Sequence, residues 1–177
     1  IDRGVRQSVA KAYLDPIKKR KNLKIIKNTY VKKILFKNKT AIGIEIIRNN
    51  KNEKYFCNKE IILCAGSINS PKILQLSGIG DEDHLKDLGI EIIHNLSGVG
   101  KNLQDHLEIY IQYKSKQKET LYNLSNNLIP QVAEGAKWFL FKKGKLSHSH
   151  LEFGGFVKSN NNYKNPNLQF HFFPSLV

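Results

Sequence analysis

The chain has 177 residues, with 29 lysine and arginine residues against 15 aspartate and glutamate residues, and its formal net charge is +14. Domains commonly run to about 100–200 residues, so the chain holds one ordinary hydrophobic core or parts of two. It contains no methionine, which favours a piece of a longer polypeptide, and no apolar run approaches the roughly 20 residues of a membrane-spanning helix, so we predict no membrane span.

The first part of the sequence predicts a short helix followed by an antiparallel meander. Ser8–Leu14 is typical of a helix that ends at Asp15, because a following proline disfavours helical geometry in the residue before it. Four β-rich stretches come next, separated by turns rich in asparagine and lysine. They cover residues 23–26, 29–36, 40–48 and 54–57.

The run Glu60–Cys64 is short and almost continuously apolar, which predicts a strand buried on both faces within a parallel sheet. Ala65–Ser67 would let the chain turn tightly. Ser70 and Pro71 then have the pattern of an N-cap and a first-turn proline, in a helix that Gly78 ends. In open α/β sheets ligands lie beyond the carboxyl ends of the strands, where free helix amides favour anions. The segment therefore predicts a ligand-binding edge.

The sequence then predicts a helix over 81–88, with Leu85 and Leu88 facing inward, and a strand over 90–93. After about residue 105 its character changes, with a helix predicted over about 128–142 and strands over 153–158 and 167–173. We place a domain boundary between residues 104 and 105. The glycine pairs at 78–80 and 98–100 lack the third glycine of a dinucleotide fingerprint, so we interpret them as turn glycines.

Cysteine and histidine usage gives little sign of a covalent or metal framework. An extended run separates Cys57 from Cys64 and keeps their Cβ atoms apart, so we predict two free thiols, with Cys64 buried. His148 and His150 could lie on one strand face as a metal pair does, but the sequence supplies too few further ligands. We predict no metal site.

Two longer segments carry a family resemblance. Residues 66–80 resemble the second signature of the glucose-methanol-choline (GMC) flavoprotein oxidoreductases, and Gly98–His106 resembles that family's passage from the flavin domain to the substrate domain. Further matches in family order are Arg6, Ser8, Ala12-Tyr13-Leu14, Pro16, Asn22-Leu23, Tyr30-Val31 and Gly43-Ile44-Glu45. A weaker match covers 166–172, with Asn167 in place of an acid. The local sequence is most similar to insect glucose-dehydrogenase-like members, as an internal fragment.

The resemblance implies a fold of α/β plus α+β class. Residues 1–104 would be part of a Rossmann-like FAD-binding domain with an antiparallel β-meander, and residues 105–177 part of a substrate-binding domain built on an antiparallel sheet. The implied cofactor is FAD. The backbone of a strand valine would meet the adenine ring, two small residues would line the cofactor, and a loop would close over the flavin. The corresponding positions are Val31, Ala65, Gly66, Asn102, Asp105 and His106.

The implied activity is oxidation of the CH–OH group of a small alcohol or sugar, by hydride transfer to the flavin. The family's catalytic histidine lies near the C-terminus of a longer chain, so we assign no catalytic residue here and expect this fragment to be inactive alone. The resemblance is compatible with secretion and leaves location, oligomeric state and electron acceptor undetermined.

Two other interpretations stay open. The chain could be a non-catalytic relic of the same fold. It could also be a basic nucleic-acid-binding module, because the run Lys18–Lys21, followed by Lys24 and Lys27, could contact phosphate groups. The other basic residues are scattered, and no zinc-finger spacing or basic zipper accompanies them, so we favour a solvated face and predict no nucleic-acid partner.

Overall fold

The structure is a computed structural model that describes residues 1–114, 116, 121–149, 151 and 153–174. The chain divides into two compact units. The meander unit is Lys24–Glu108, and the helical unit is Ile1–Leu23 together with Ile109–Val177. The domain boundary between residues 104 and 105 stays a prediction.

Three antiparallel strands in chain order confirm the predicted meander: β1 (Tyr30–Lys37), β2 (Thr40–Arg48) and β3 (Lys51–Phe56). Two-residue turns join them, and all four turn residues have positive φ, from 48° to 64°. Such turns match the right-handed twist of a hairpin, and asparagine, which fills three of the four positions, tolerates this backbone region well. The stretch 23–26, predicted to be β-rich, contains no strand.

The core of the meander unit joins helix α1 (Gly66–Leu76) to strand β1. Ile34 and Ile73 are each 7% exposed, and Ile46 on β2 is 2% exposed. The buried hydroxyl of Ser77 donates to the Ile73 carbonyl oxygen at 2.5 Å and accepts from the Ile34 amide at 2.8 Å. This hydroxyl therefore satisfies a strand amide that would otherwise be buried without a partner.

Two predictions near α1 are wrong. Residues 60–64 form no strand, and Ile62 and Cys64 are exposed, because no described segment pairs with this run as a parallel strand requires. Helix α1 begins at Gly66 rather than after Ser70, and Pro71 lies inside it. The Ser70 hydroxyl accepts from the Ala65 amide at 3.0 Å, and thereby pairs a donor at the helix start that has no intrahelical acceptor.

Helix α2 (Glu82–Asp87) lies where predicted, with Asp81 as its N-cap. Leu85 is fully buried, but Leu88 is 59% exposed, so its predicted inward position is wrong. The next strand is also displaced. Instead of 90–93, β5 (His94–Asn95) pairs in parallel with β4 (Ile79–Gly80), because the amides of residues 93 and 94 both donate to the residue 78 carbonyl, at 2.8 and 3.1 Å.

The helical unit contains a π-helical turn at Ala10–Leu14, α3 (Leu121–Ser125), α4 (Leu128–Phe141), a 3-10 turn at Lys145–Ser147, and the antiparallel pair β6 (Phe153–Val157) and β7 (Leu168–Phe172). Helix α4 and both strands confirm the predictions for this part of the sequence. The indole of Trp138 donates to the Gly4 carbonyl oxygen at 2.7 Å, which ties α4 to the first residues of the chain. Among the described residues, no helix is long and apolar enough to cross a bilayer.

Candidate cofactor site

A groove of about 480 Å³ lies in the meander unit, between one side of α1 and the segment Gly98–Gln104, which we call the 98–104 loop. Its walls combine lysine, serine and amide side chains with a few apolar ones. The lining residues are Ser67, Ile68, Pro71, Lys72, Gln75, Gly100, Lys101, Asn102, Leu103 and Gln104. The groove therefore combines apolar surface with two lysines and lies next to a helix start.

The α1 wall begins at a glycine that the backbone requires. Gly66 has φ +83°, a conformation that side chains with a Cβ rarely adopt, and the space where a Cβ would stand is open for 4 Å. The adjoining helix N-terminus carries a partial positive charge from its aligned peptide dipoles. Backbone and open space together leave this end of the groove accessible to an anionic ligand.

The loop wall lies directly on α1. The side-chain amide of Gln75 donates to the Val99 carbonyl oxygen at 3.3 Å. Gly100 has φ +80°, and a Cβ built there would lie 2.7 Å from the same Gln75 nitrogen. Asn102 also has positive φ, at 57°. Close approach and an unusual backbone path thus coincide in this loop.

An ion pair ties the loop to the start of α2. The Lys101 ammonium donates to Asp81 Oδ2 at 2.6 Å, while Asp81 Oδ1 accepts from the His84 amide at 3.2 Å. The hydrogen bond from Lys101, followed by that from His84, holds the pKa of the Asp81 carboxyl below its usual range. The second groove lysine, Lys72, lies with its ammonium 5.9 Å from the Tyr30 ring centroid.

The structure brings only some of the predicted site residues to the groove. Asn102 lines it, and Ala65 and Gly66 lie at the start of α1 next to Ser67, which lines it. Val31 is half-buried in β1, opposite Ile46 and beside an irregularity in the register. Val31 is not among the residues that line the groove.

Asp105 and His106 follow the loop and are both exposed. Asp105 Oδ1 accepts from the His106 amide at 2.8 Å, and neither residue lines the groove. Sequence reasoning missed Lys72, Lys101 and Gln75. Two of them could have been found from the sequence, since Lys72 follows the proline of the signature at 66–80 and Lys101 precedes Asn102.

The histidine pair considered as a metal site cannot be placed, because His150 lies outside the described residues, while His148 is exposed. Within the part of the chain that the structure describes, no three His, Cys, Asp or Glu side chains converge as a metal shell requires.

The family model described as GMC oxidoreductase matches residues 1–108 of this chain. The chain belongs to the GMC oxidoreductase family. It is 45% identical over 177 residues to the mitochondrial choline dehydrogenase of Homo sapiens, a match that covers all of this chain and 30% of that protein. It is also 45% identical to the oxygen-dependent choline dehydrogenase of Photobacterium profundum, of which it covers 31%. The chain thus spans about a third of the length of these GMC relatives.

Solved structures agree with this family. An FAD-dependent oxidoreductase from Chaetomium thermophilum superposes with a TM-score of 0.74 at 35% identity, over 81% of this chain and 26% of that one. A formate oxidase superposes with a TM-score of 0.82 over 98% of this chain and 34% of that one, and at 21% identity it shows the fold alone. The predicted GMC family and its FAD dependence are confirmed. The Rossmann-like arrangement stays a prediction.

Proposed function

We propose that this chain forms the cofactor side of an FAD-dependent oxidoreductase that acts on the CH–OH group of a small alcohol. The observation that supports the proposal most strongly is the groove, where two lysines and the start of α1 meet beside a glycine with open space at its Cβ position. The family to which the chain belongs indicates that the cofactor is FAD. The side chains that line the groove can then be compared with the chemical groups of FAD.

The side chains of the groove fit the chemistry of FAD. A flavin dinucleotide carries a diphosphate, which suits the ammonium of Lys72 and the helix start, and polar rings, which suit hydroxyl and amide groups such as Ser67, Asn102 and Gln104. FAD supplies the hydride acceptor when it is bound. The protein's own contribution is to bind and orient the cofactor and to shape the wall beside it.

We keep the remaining predicted cofactor contacts as part of this proposal. Gly66 leaves room for the ligand, and Ala65 directs the chain into α1. Val31 would act through its backbone, which requires no particular side chain, so an ordinary valine in β1 is compatible with the role. Asp105 and His106 lie directly after the 98–104 loop, and their exposure leaves them accessible to a ligand or a further segment.

The substrate proposal follows the relatives. Several proteins at about 45% identity are named choline dehydrogenases, which favours a small amino alcohol of this type as substrate. The finer resemblance to insect glucose-dehydrogenase-like members favours a sugar instead and stays a prediction. The non-catalytic relic and the basic nucleic-acid module have less support, because the named relatives are enzymes.

We expect no alcohol turnover by the 177-residue chain alone, because the resemblance places the family's catalytic histidine in a part of the fold beyond the segments matched here. The measurement is oxidation of choline and of glucose by the chain supplemented with FAD and an artificial electron acceptor. Turnover above that of free FAD would contradict this expectation.

Cofactor binding is tested by titrating FAD with the chain and following flavin fluorescence. We expect saturable binding that Lys72→Met weakens about threefold to tenfold, the range for losing one charged contact to a phosphate. Lys86→Met is the matched control, since this lysine lies on α2, away from the groove. Failure to saturate would overturn the proposal. Displacement of FAD by any polyanion, such as heparin, with equal loss in both variants would favour the basic module instead.

A further inference from the structure

The described side-chain hydrogen bonds that tie the 98–104 loop to the rest of the chain come from one short stretch, Gln75–Asp81. The Leu96 amide, just before the loop, donates to the Gly80 carbonyl oxygen at 2.8 Å. Gln75 bonds the Val99 carbonyl oxygen, and Asp81 pairs with Lys101. The end of α1 and the start of α2 thus form a frame on which the loop rests.

Asp81 has a different task for each of its carboxylate oxygens. Oδ1 caps α2 through the His84 amide, and Oδ2 accepts from the Lys101 ammonium. Because the cap already orders the carboxylate, the ion pair orders only the lysine in addition, and it loses less side-chain entropy than a pair between two free side chains. The contact is therefore better placed to hold a loop than an ordinary surface ion pair.

Lys101 stands between two residues whose backbone is unusual. Gly100 and Asn102 have φ of +80° and +57°. The left-handed region costs free energy for a residue with a side chain, and asparagine bears that cost better than most. Glycine and asparagine fill the two positions with positive φ, so the backbone path itself costs little, and the ion pair acts at the residue between them.

We propose that the Asp81–Lys101 ion pair is a positioning contact that holds the 98–104 loop, with Asn102, against α1 and so keeps one wall of the cofactor groove in place. The inference rests on the proposed function for its effect on FAD. It assigns the two lysines of the groove different roles. Lys101 is neutralised by Asp81 and positions the wall, whereas Lys72 takes part in none of the ion pairs among the described residues and faces the ligand.

Three variants of the 177-residue chain test this inference. Lys101→Met keeps the aliphatic stem and leaves the α2 cap untouched, Asp81→Asn keeps an oxygen for the cap but removes the charge, and the third variant combines both. Lys86→Met is the control, because it removes a lysine paired at the same 2.6 Å, to Glu82 within α2, that does not touch the loop. The first readout, which needs no cofactor, is hydrogen exchange at the Val99 and Lys101 amides.

We expect both single variants to exchange at least threefold faster at these amides, and to weaken FAD binding about threefold, with the double variant no worse than either single one. Lys86→Met should change neither readout. Weaker FAD binding in Lys101→Met alone, with Asp81→Asn unchanged, would make Lys101 a direct ligand and overturn the positioning role. Unchanged exchange in both single variants would show that the loop is held without the pair and would overturn it too.

The exchange readout also separates this inference from the proposed function. If the unaltered chain does not bind FAD, the proposed function fails. Faster exchange in both single variants would then still support the ion pair as the contact that holds the loop, and unchanged exchange would overturn it.

Discussion

The two units of the chain bury apolar side chains to very different degrees. All four apolar side chains that are buried among the described residues belong to the meander unit: Ile34, Ile46, Ile73 and Leu85. In the helical unit, α4 buries none of its residues, and Ile129 and Phe139 are 84% and 72% exposed. The meander unit therefore closes a small core of its own, in which α1 packs on the sheet, whereas α4 of the helical unit leaves its apolar side chains exposed.

The largest effect that would sharpen this contrast comes from the core of β2. We expect Ile46→Ala to destabilise the meander unit by about 2–5 kcal/mol, because it removes a buried side chain and leaves a cavity. The matched change Ile129→Ala on exposed α4 should cost under about 0.5 kcal/mol. Both losses are measured by urea denaturation. Hydrogen exchange of β2 amides reports unfolding for Ile46→Ala, and Trp138 fluorescence reports unfolding for Ile129→Ala. Equal losses would break the comparison.

A smaller effect is expected from the hydroxyl that joins α1 to β1. Ser77→Ala leaves the buried Ile34 amide without its acceptor, which costs about 1–3 kcal/mol. Ser67→Ala lies on the same helix, at an exposed position, and serves as the control. The two variants are compared by their urea midpoints, and a Ser77→Ala midpoint equal to that of the control would show that the hydroxyl does not join these elements.

The next effect concerns the loop rather than the core. Gly100→Ala should destabilise the 98–104 loop by about 1–2 kcal/mol, since the positive φ disfavours alanine and the new Cβ displaces the end of the Gln75 side chain from the loop. Gly98→Ala is the matched control in the same loop, because nothing lies within 4 Å of its Cβ position. Hydrogen exchange at Lys101 measures both variants. A slower or equal exchange rate in Gly100→Ala would contradict the close packing of the loop on α1.

The smallest effect is a dependence on pH. The pKa of the Asp81 carboxyl is lower in the folded chain than its ordinary value of 3.8, because Lys101 and the His84 amide bond the charged form. Its contribution to stability is therefore full above about pH 4 and is lost as the pH falls through the folded-state pKa. NMR titration should find this pKa shifted back toward 3.8 in Lys101→Met. If Asp81 had the same pKa in Lys101→Met as in the unaltered chain, the ion pair would not form in solution.

The sequence predicted those elements whose signal is local. The meander, α2, α4 and the β6–β7 pair each depend on turns, caps or periodicity within one short segment. The prediction of a strand at 60–64 was wrong because a parallel strand depends on the strands that pair with it, and a local sequence pattern does not show those partners. The predicted start of α1 was wrong because Ser70 lies inside the helix. Its hydroxyl accepts from the Ala65 amide and does not cap the helix from the position before it.

For the candidate site, too, the local features could be predicted from the sequence and the contacts between distant residues could not. The resemblance directed attention to Asn102, which lines the groove, and to Gly66 beside it. The contact between Asp81 and Lys101 spans 20 residues and depends on how β5 places the loop beside α2, so spacing alone did not predict it.

Hydrogen exchange of the 177-residue chain with and without FAD tests the central claim most directly. If the groove is the cofactor site, FAD should slow exchange at the start of α1 and in the 98–104 loop, and leave Lys18–Lys21 unchanged. Protection that is absent from the groove, or that falls instead on the basic run, would contradict the account.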